Sequence, residues 1–183
     1  VQTNFDAVAA IVDVQDFADY WITEIWSSNS SWGHNVKLWK PYEEGSKWKF
    51  IFGDLDRAFT GSTNDDIQDF TQSQNNNYDY ARTWIRHMLE NDIYEAYFAQ
   101  RFADHLHTSF HPEHVNDQID IFVDRIDEEI SHHVDRWGGT TSSYGDGINS
   151  VGFWEDEIAD LKTFSIDRSP FMVNDLFDTF DLG

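Results

Sequence analysis

The chain has 183 residues, of which 40% are hydrophobic and 16% aromatic, so it can bury the core of one domain or of one lobe of a larger domain. Its formal net charge is −22, with 24 Asp and 10 Glu, and such a surface repels nucleic acids and anionic membranes, which need clustered Lys and Arg. The sequence contains no cysteine and no apolar run near the ~20 residues of a membrane-spanning helix, which excludes disulfide bonds, thiolate metal sites and a membrane span.

The first predicted element is a helix over residues 8–28, which Asp13 can cap. Its apolar residues recur at helical spacing: Phe17, Tyr20, Trp21 and Ile25. A small polar loop, residues 27–33, follows it.

Two strand-like runs come next, residues 35–40 and 47–52, and the turn-forming segment PYEEGS joins them. This pattern predicts an antiparallel β-hairpin. Residues 60–79 carry few apolar side chains and are predicted to form a loop.

The second half of the chain is predicted to be helical almost to its end. The predicted helices are residues 81–90, a helix capped by Asp92 that reaches residue 108, a long helix with Pro112 in its first turn, residues 152–164 and residues 169–180. One apolar face of the long helix contains Val115, Ile119, Phe122, Val123, Ile126 and Ile130. With a loop over residues 138–150, the expected fold class is α+β, mainly helical, with one hairpin.

The hairpin concentrates positive charge in an otherwise acidic chain. Its cations are Lys37, Lys40, Lys47, Lys49 and Arg57. Residues 37–57 contain these five cations and four acids, a net charge of +1, which leaves −23 for the rest of the chain. Such a segment suits a phosphate ligand. The alternative interpretation is a row of solvated lysines at alternate positions of an exposed strand.

Oxygen-bearing side chains flank the two predicted strands. Asn35 begins the first strand, and Asp54 follows the second within Gly53-Asp54-Leu55-Asp56. Mg²⁺ takes oxygen ligands from one or two carboxylates plus substrate phosphates, and kinases use a loop Asn and a strand-end Asp in this way. Asp56 is a candidate second ligand or an acid beside the ligands. Acidic turns are common in this sequence, so a solvated turn is the alternative.

Four consecutive segments resemble blocks of the CotH (spore coat protein H) kinase family: NSSWGHNVKLWK, KWKFIFGDLDRAF, NDIYEAYFAQRFADHLHTSFHPEHV and EEISHHVDRWG. The resemblance covers roughly residues 13–180. It implies a protein-kinase-like C-terminal lobe that uses ATP with Mg²⁺ or Mn²⁺ and transfers phosphate to hydroxyls of surface or coat proteins. It also implies that Asn35 and Asp54 bind the metal, with Asp56 in the same motif. The local positive charge, rather than the resemblance, makes Lys37, Lys47, Lys49 and Arg57 the candidate nucleotide-binding cations, and pairing with local acids is the alternative for Arg57.

The sequence departs from the family pattern at the catalytic base. Members usually carry an Asp just before the His-Asn pair, and Ser31 is the nearest match here. A serine hydroxyl does not accept a proton as a carboxylate does. His34 is a candidate replacement because the pKa of histidine lies near neutrality, although a structural role for its ring is the alternative. The departure favours a second hypothesis, a pseudokinase that serves as a structural or surface-assembly module.

The family's N-terminal, nucleotide-covering half has no counterpart in these 183 residues, so we expect the chain to be the C-terminal lobe of a longer polypeptide. An acidic surface favours solubility, cation binding and salt tolerance, which indicates an exported or high-salt setting. The resemblance implies an extracellular or cell-surface location with a coat or extracellular protein as substrate. A third hypothesis takes Asp54 and Asp56 as the Asp-x-Asp motif of a metal-dependent glycosyltransferase.

Other polar residues are predicted to be structural. Zinc needs three or four converging ligands, and two members of the histidine cluster, His105 and His107, point to different helix faces. The remaining members, His111 and His114, are interpreted as solvated helix-end residues. Arg101 and Arg136 are expected to anchor helices through buried ion pairs.

Overall fold

The fold was obtained as a computed structural model that describes residues 2–71, 79–142 and 145–182. Within these ranges the chain forms seven α-helices and two small antiparallel sheets, which confirms the mainly helical fold. The helices are α1 Gln2–Ala9, α2 Val14–Trp26, α3 Asp66–Thr71, α4 Asp79–Leu89, α5 Asp92–His107, α6 Pro112–Trp137 and α7 Val151–Phe180. The strands are β1 Lys37–Trp39, β2 Lys49–Ile51, β3 Thr141–Ser142 and β4 Gly145–Asp146.

Helix α2 forms the centre of the core, and it begins at residue 14 rather than residue 8. The carboxylate of Asp13 caps it by accepting hydrogen bonds from the backbone N–H groups of Gln15 and Asp16. The preceding residues leave the helical path because they pair with the hairpin: the Asp13 amide donates to the Trp48 carbonyl at 2.9 Å, and the Trp48 amide donates to the Ile11 carbonyl at 2.9 Å. The single helix predicted over residues 8–28 is therefore replaced by the end of α1, a non-helical break and α2.

The predicted hairpin is confirmed, with shorter strands than expected. Lys37 lies opposite Ile51 and Leu38 opposite Phe50. The ring of Phe50 is buried against Phe17 of α2, with the ring centroids 5.2 Å apart. The Phe50 amide donates to the Asp16 carboxylate at 2.6 Å, so α2 holds the hairpin by a polar contact as well as by packing.

Part of the predicted loop at residues 60–79 is helical, and residues 72–78 of it lie outside the described ranges. Helix α3 forms because Ile67 and Phe70 reach the core, where they are 0% and 2% exposed. Its first turn is tied to α7, since the carboxylate of Asp175 accepts a hydrogen bond from the Ile67 amide. Few apolar residues are sufficient for a helix when its ends are held by distant side chains.

Two predictions in the second half are corrected. Helix α5 is capped by Asn91, whose side chain accepts from the Tyr94 amide at 3.0 Å, and Asp92 lies in its first turn. Helix α7 is continuous through Pro170, where two separate helices had been predicted. Arg168 donates to the Trp26 carbonyl and Ser169 to the Phe110 carbonyl, and both bonds are buried. These tertiary contacts outweigh the helix-breaking tendency of proline.

Helix α6 starts at Pro112 as predicted, but its apolar face is only partly covered. Ile130 is 6% exposed, whereas Phe122 and Ile126 are 59% and 47% exposed. The helix packs chiefly against α7, and one neighbour covers only a narrow stripe of a helix surface. The loop predicted after α6 contains a second short hairpin, β3 with β4. No described helix is both long enough and apolar enough to cross a bilayer.

Candidate functional site

Two loops meet at the open end of the first hairpin. The first loop, residues 27–36, joins α2 to β1, and the second loop, residues 52–65, follows β2. Asn35 precedes Lys37 by two residues and Asp54 follows Ile51 by three, and Lys37 faces Ile51 in the ladder. The antiparallel register therefore brings the backbones of Asn35 and Asp54 to the same end of the hairpin.

Hydrogen bonds join the two loops directly. The amide and the hydroxyl of Ser30 both donate to the Arg57 carbonyl, at 3.3 and 3.2 Å. The Phe59 amide donates to the Ser27 carbonyl at 2.7 Å. These contacts make the two loops one structural unit at the mouth of the hairpin.

The first loop is organised by the amide of Asn29, which is 2% exposed. Its Oδ1 accepts from the Ser31 amide at 2.9 Å, and its Nδ2 donates to Oε2 of Glu24 at 2.9 Å and to the Asp54 carbonyl at 3.5 Å. The Ser31 carbonyl in turn accepts from Nδ2 of Asn35 at 3.2 Å. Because this bond engages the nitrogen of the Asn35 amide, the Oδ1 atom is the one left for a cation.

Glu24 lies beneath the first loop and is 1% exposed. Burial raises the pKa of its carboxyl, although hydrogen bonds from Asn29 and Tyr20 act in the opposite direction. Burial, together with the neighbouring Glu24 carboxylate, also raises the pKa of Tyr20. Tyr20, Glu24 and Asn29 thus form a buried polar cluster whose last member contacts both loops.

The predicted metal ligands have the oxygen chemistry that Mg²⁺ requires. Asp54 and Asp56 are exposed, and Asp54 has a φ of 64°, the left-handed region that non-glycine residues seldom adopt. In the described part of the chain, no three His, Asp or Glu side chains converge as a ligand set for a metal ion. The donor set of one amide and two carboxylates fits a metal that also takes oxygens from phosphate and water.

The predicted phosphate-binding cations differ in their surroundings. Lys37, Lys47 and Arg57 are exposed. Lys49 is half-buried, and its ammonium lies 3.2 Å from the Asp13 carboxylate, so this lysine is engaged at the cap of α2. A single function for all of these cations therefore does not follow from their shared position in the hairpin.

The two candidates for the catalytic base lie in the first loop. Ser31 is 8% exposed and begins the short 3₁₀-helix Trp32–His34. The side chain of His34 lies outside the described part of the structure. Elsewhere, His105 contacts Asp19 at 2.9 Å, which gives this histidine a structural partner.

One large apolar cavity lies away from these residues. It has a volume of about 840 Å³ and lies between α1, the hairpin and α4, with Phe5, Leu38, Trp48 and Met88 among its lining residues. It contains none of the predicted metal or base residues. The polar residues at the mouth of the hairpin and this apolar cavity are therefore separate features.

Sequence reasoning missed Glu24 and Asn29. Glu24 follows Tyr20 by four residues, so helical spacing places this acid on the apolar face of α2. An acid on a buried face signals a specific partner, because a buried charge is costly without hydrogen bonds. Asn29 carried no such signal, since it is one polar residue among several in the loop.

The structure is mainly helical, and its candidate metal ligands lie in two hydrogen-bonded loops at the mouth of one hairpin. A family model described as CotH kinase protein matches residues 1–172. The chain therefore belongs to the CotH kinase family. No curated protein and no solved structure matches the chain.

Proposed function

We propose that the chain is the C-terminal lobe of an atypical protein kinase that uses ATP and Mg²⁺ or Mn²⁺ to phosphorylate protein hydroxyls. Membership of the CotH kinase family supports a kinase-like function. The observation that carries the proposal is the union of the two loops through Asn29 and Ser30, because a shared metal needs ligands from both loops at one place. Its substrate is proposed to be a protein of the cell surface or coat.

In this proposal Oδ1 of Asn35 and the carboxylate of Asp54 hold the metal, and Asp56 lies beside them. The bound metal neutralises charge on the phosphates during transfer. The exposed ammonium groups of Lys37 and Lys47 attract the anionic nucleotide to the hairpin. The engagement of Lys49 with Asp13 supports a role for Lys49 in holding the hairpin.

A pseudokinase is the second candidate, and Ser31 favours it. The residue at the expected base position has no carboxylate and is only 8% exposed, so it is poorly suited to take a proton from a substrate hydroxyl. In this case the lobe would still bind nucleotide and metal, because the proposed ligands are independent of the base.

Metal-dependent nucleotide binding by the full-length protein tests the metal assignment. We expect Asp54→Ala to abolish the Mn²⁺-dependent binding of a fluorescent ATP analogue, because the ligand role precedes any chemistry. Asp124→Ala, which removes an exposed acid from α6, is the matched control and should leave the affinity unchanged. Undiminished binding in Asp54→Ala would overturn the assignment.

Ser31→Asp separates the two candidate functions. If the native protein is a pseudokinase because it lacks a base, restoring the carboxylate should raise autophosphorylation by about 10²–10⁴-fold. Robust activity in the native protein would contradict the pseudokinase hypothesis. An unchanged rate in Ser31→Asp would show that residue 31 does not occupy the position of the base.

A further inference from the structure

Glu24 and Asn29 are almost fully buried where α2 meets the two loops. We propose that they form a positioning pair that sets the separation between the Asn35 loop and the Asp54 loop, and so the affinity for the metal–nucleotide complex. The inference rests on the proposed function and adds two residues that contact neither metal nor nucleotide.

The amide of Asn29 reaches both loops at once. One N–H of its Nδ2 donates to Glu24 at 2.9 Å, and the same nitrogen lies 3.5 Å from the Asp54 carbonyl. Its Oδ1 accepts from the Ser31 amide, and the Ser31 carbonyl holds Asn35. A displacement of this one side chain therefore moves the backbone of Asp54 and the amide of Asn35 together.

Glu24 determines which way the Asn29 amide points. A carboxylate only accepts hydrogen bonds, so it selects the nitrogen of Asn29 and leaves Oδ1 directed at the Ser31 amide. If the amide turned over, the Ser31 N–H would face another donor and the Asp54 carbonyl another acceptor. Tyr20 lies one turn before Glu24 on α2. Burial raises the pKa of the Glu24 carboxyl, and Tyr20 lowers it against the effect of burial.

The expected size of the effect follows from metal sites in general. Changing a residue that orients a metal ligand typically costs 10–100-fold in metal affinity, although that residue does not touch the metal. A residue that only stabilised the fold would lower the stability of the protein and leave the affinity of the folded fraction unchanged.

The central variant is Asn29→Asp in the full-length protein. It keeps the size of the side chain and the acceptor for Ser31, but it replaces the donor with an oxygen that faces Glu24. We expect Mn²⁺–ATP affinity to fall about 10–100-fold. The double variant Glu24→Gln/Asn29→Asp reverses the polarity of the bond, because the new amide at position 24 donates to the new carboxylate. It should recover only part of the lost affinity, because the carboxylate at position 29 offers no donor to the Asp54 carbonyl.

Asn91→Asp is the matched control. Asn91 is 5% exposed and lies at the cap of α5. Like Asn29, it donates one side-chain bond from Nδ2, to Gln2 at 2.8 Å, and accepts one backbone amide, that of Tyr94, at Oδ1. The affinity of Asn91→Asp for Mn²⁺–ATP should equal that of the native protein.

Asn29→Ser tests the same contact if Asn29→Asp fails to fold. It removes the amide without adding a charge and should weaken binding in the same way.

Hydrogen exchange measures the positioning without any nucleotide. Asn29→Asp and Asn29→Ser should accelerate exchange in residues 29–35 and 53–59 together, and Asn91→Asp should accelerate neither. If the native protein binds no nucleotide but exchange follows this pattern, the proposed function fails, and the role of the pair in holding the two loops together stands. Unchanged exchange in residues 53–59 of the single variants, or a double variant whose affinity is no higher than that of Asn29→Asp, overturns the pair.

Discussion

Arg168 is fully buried, and all five of its N–H donors are engaged. Its Nε and the two terminal nitrogens donate to the carbonyls of Ile25, Trp26, Ser62 and Asn64 and to the Asp66 carboxylate. Burial lowers the pKa of Arg168, while the carboxylate of Asp66 acts in the opposite direction. One side chain of α7 thereby holds the end of α2, the second loop and the start of α3.

We expect Arg168→Met to lower the free energy of unfolding by about 3–5 kcal/mol, measured by urea unfolding. The change leaves the buried carboxylate of Asp66 and four carbonyls without their donor, and breaking a buried ion pair from one side has a cost of this size. Arg136→Met is the control, because Arg136 is exposed on α6 and its loss should change stability by less than about 0.5 kcal/mol. Equal effects in the two variants would contradict the role given to Arg168.

At the scale of elements, the start of α2 combines a helix cap with an ion pair. The carboxylate of Asp13 accepts from two amides of α2 and lies 3.2 Å from the Lys49 ammonium of β2. Burial raises the pKa of Asp13, but the hydrogen bonds and the charge of Lys49 outweigh it, and the net pKa is lowered. The cap fixes where the helix begins, and the ion pair fixes the hairpin beside it.

Three substitutions separate these two contributions. Asp13→Ala should cost about 1 kcal/mol of unfolding free energy, since it removes the cap. Asp13→Asn keeps an acceptor for the helix amides and should cost less, as should Lys49→Met, because a half-exposed ion pair contributes about 0–1 kcal/mol. Chemical unfolding of the three variants checks the order. A loss in Lys49→Met equal to that in Asp13→Ala would assign the stability to the ion pair.

At the scale of the whole molecule, two acids whose pKa values shift in opposite directions contribute opposite trends to the pH dependence of stability. Burial raises the pKa of Asp19, but hydrogen bonds from Arg101 and His105 outweigh it and the net pKa is lowered, whereas the pKa of Glu24 is raised by burial. Asp19 therefore contributes stability that is present above the ordinary aspartate pKa of 3.8 and is lost as the pH falls through its lowered folded pKa. Glu24 contributes stability that is present below 4.5 and is lost as the pH rises through its folded pKa.

The two isosteric variants should therefore show opposite trends in urea unfolding between pH 7 and pH 3. Asp19→Asn is expected to be less stable than the native protein at pH 7, and the difference should shrink as the pH falls. Glu24→Gln should gain stability relative to the native protein as the pH rises from 3. Parallel trends in both variants would contradict the assigned directions of the two pKa shifts.

Sequence reasoning predicted much of the fold, because helical spacing and turn residues are local signals. The hairpin, α4, and the start of α6 at Pro112 all follow from such signals. The errors arose where distant residues decide the outcome, as at α3, which is held by Asp175 and Arg168 of α7. Arg136, for which a buried ion pair is predicted, is exposed, whereas Arg168 forms a buried ion pair with Asp66. The burial of a cation depends on which distant residues pack over it.

Some residues of the candidate site can also be identified from the sequence, and others only from the fold. The residue types Asn35, Asp54 and Asp56, and their order around a hairpin, follow from the sequence, and their metal-binding role stays a prediction. Glu24 and Asn29 became visible only in the fold, where one buried amide joins two loops 25 residues apart in the chain.

By itself the sequence determined the family, the helical class and the hairpin, because these depend on residue type and on spacing within a few turns. Only the tertiary structure decided which charged groups are buried and which partners they have. Arg168 and Asp66 are 102 residues apart in the chain, and no local pattern specifies their contact. Burial is a property of the whole packed chain, and it changes the energy of a charge more than any neighbour in sequence does.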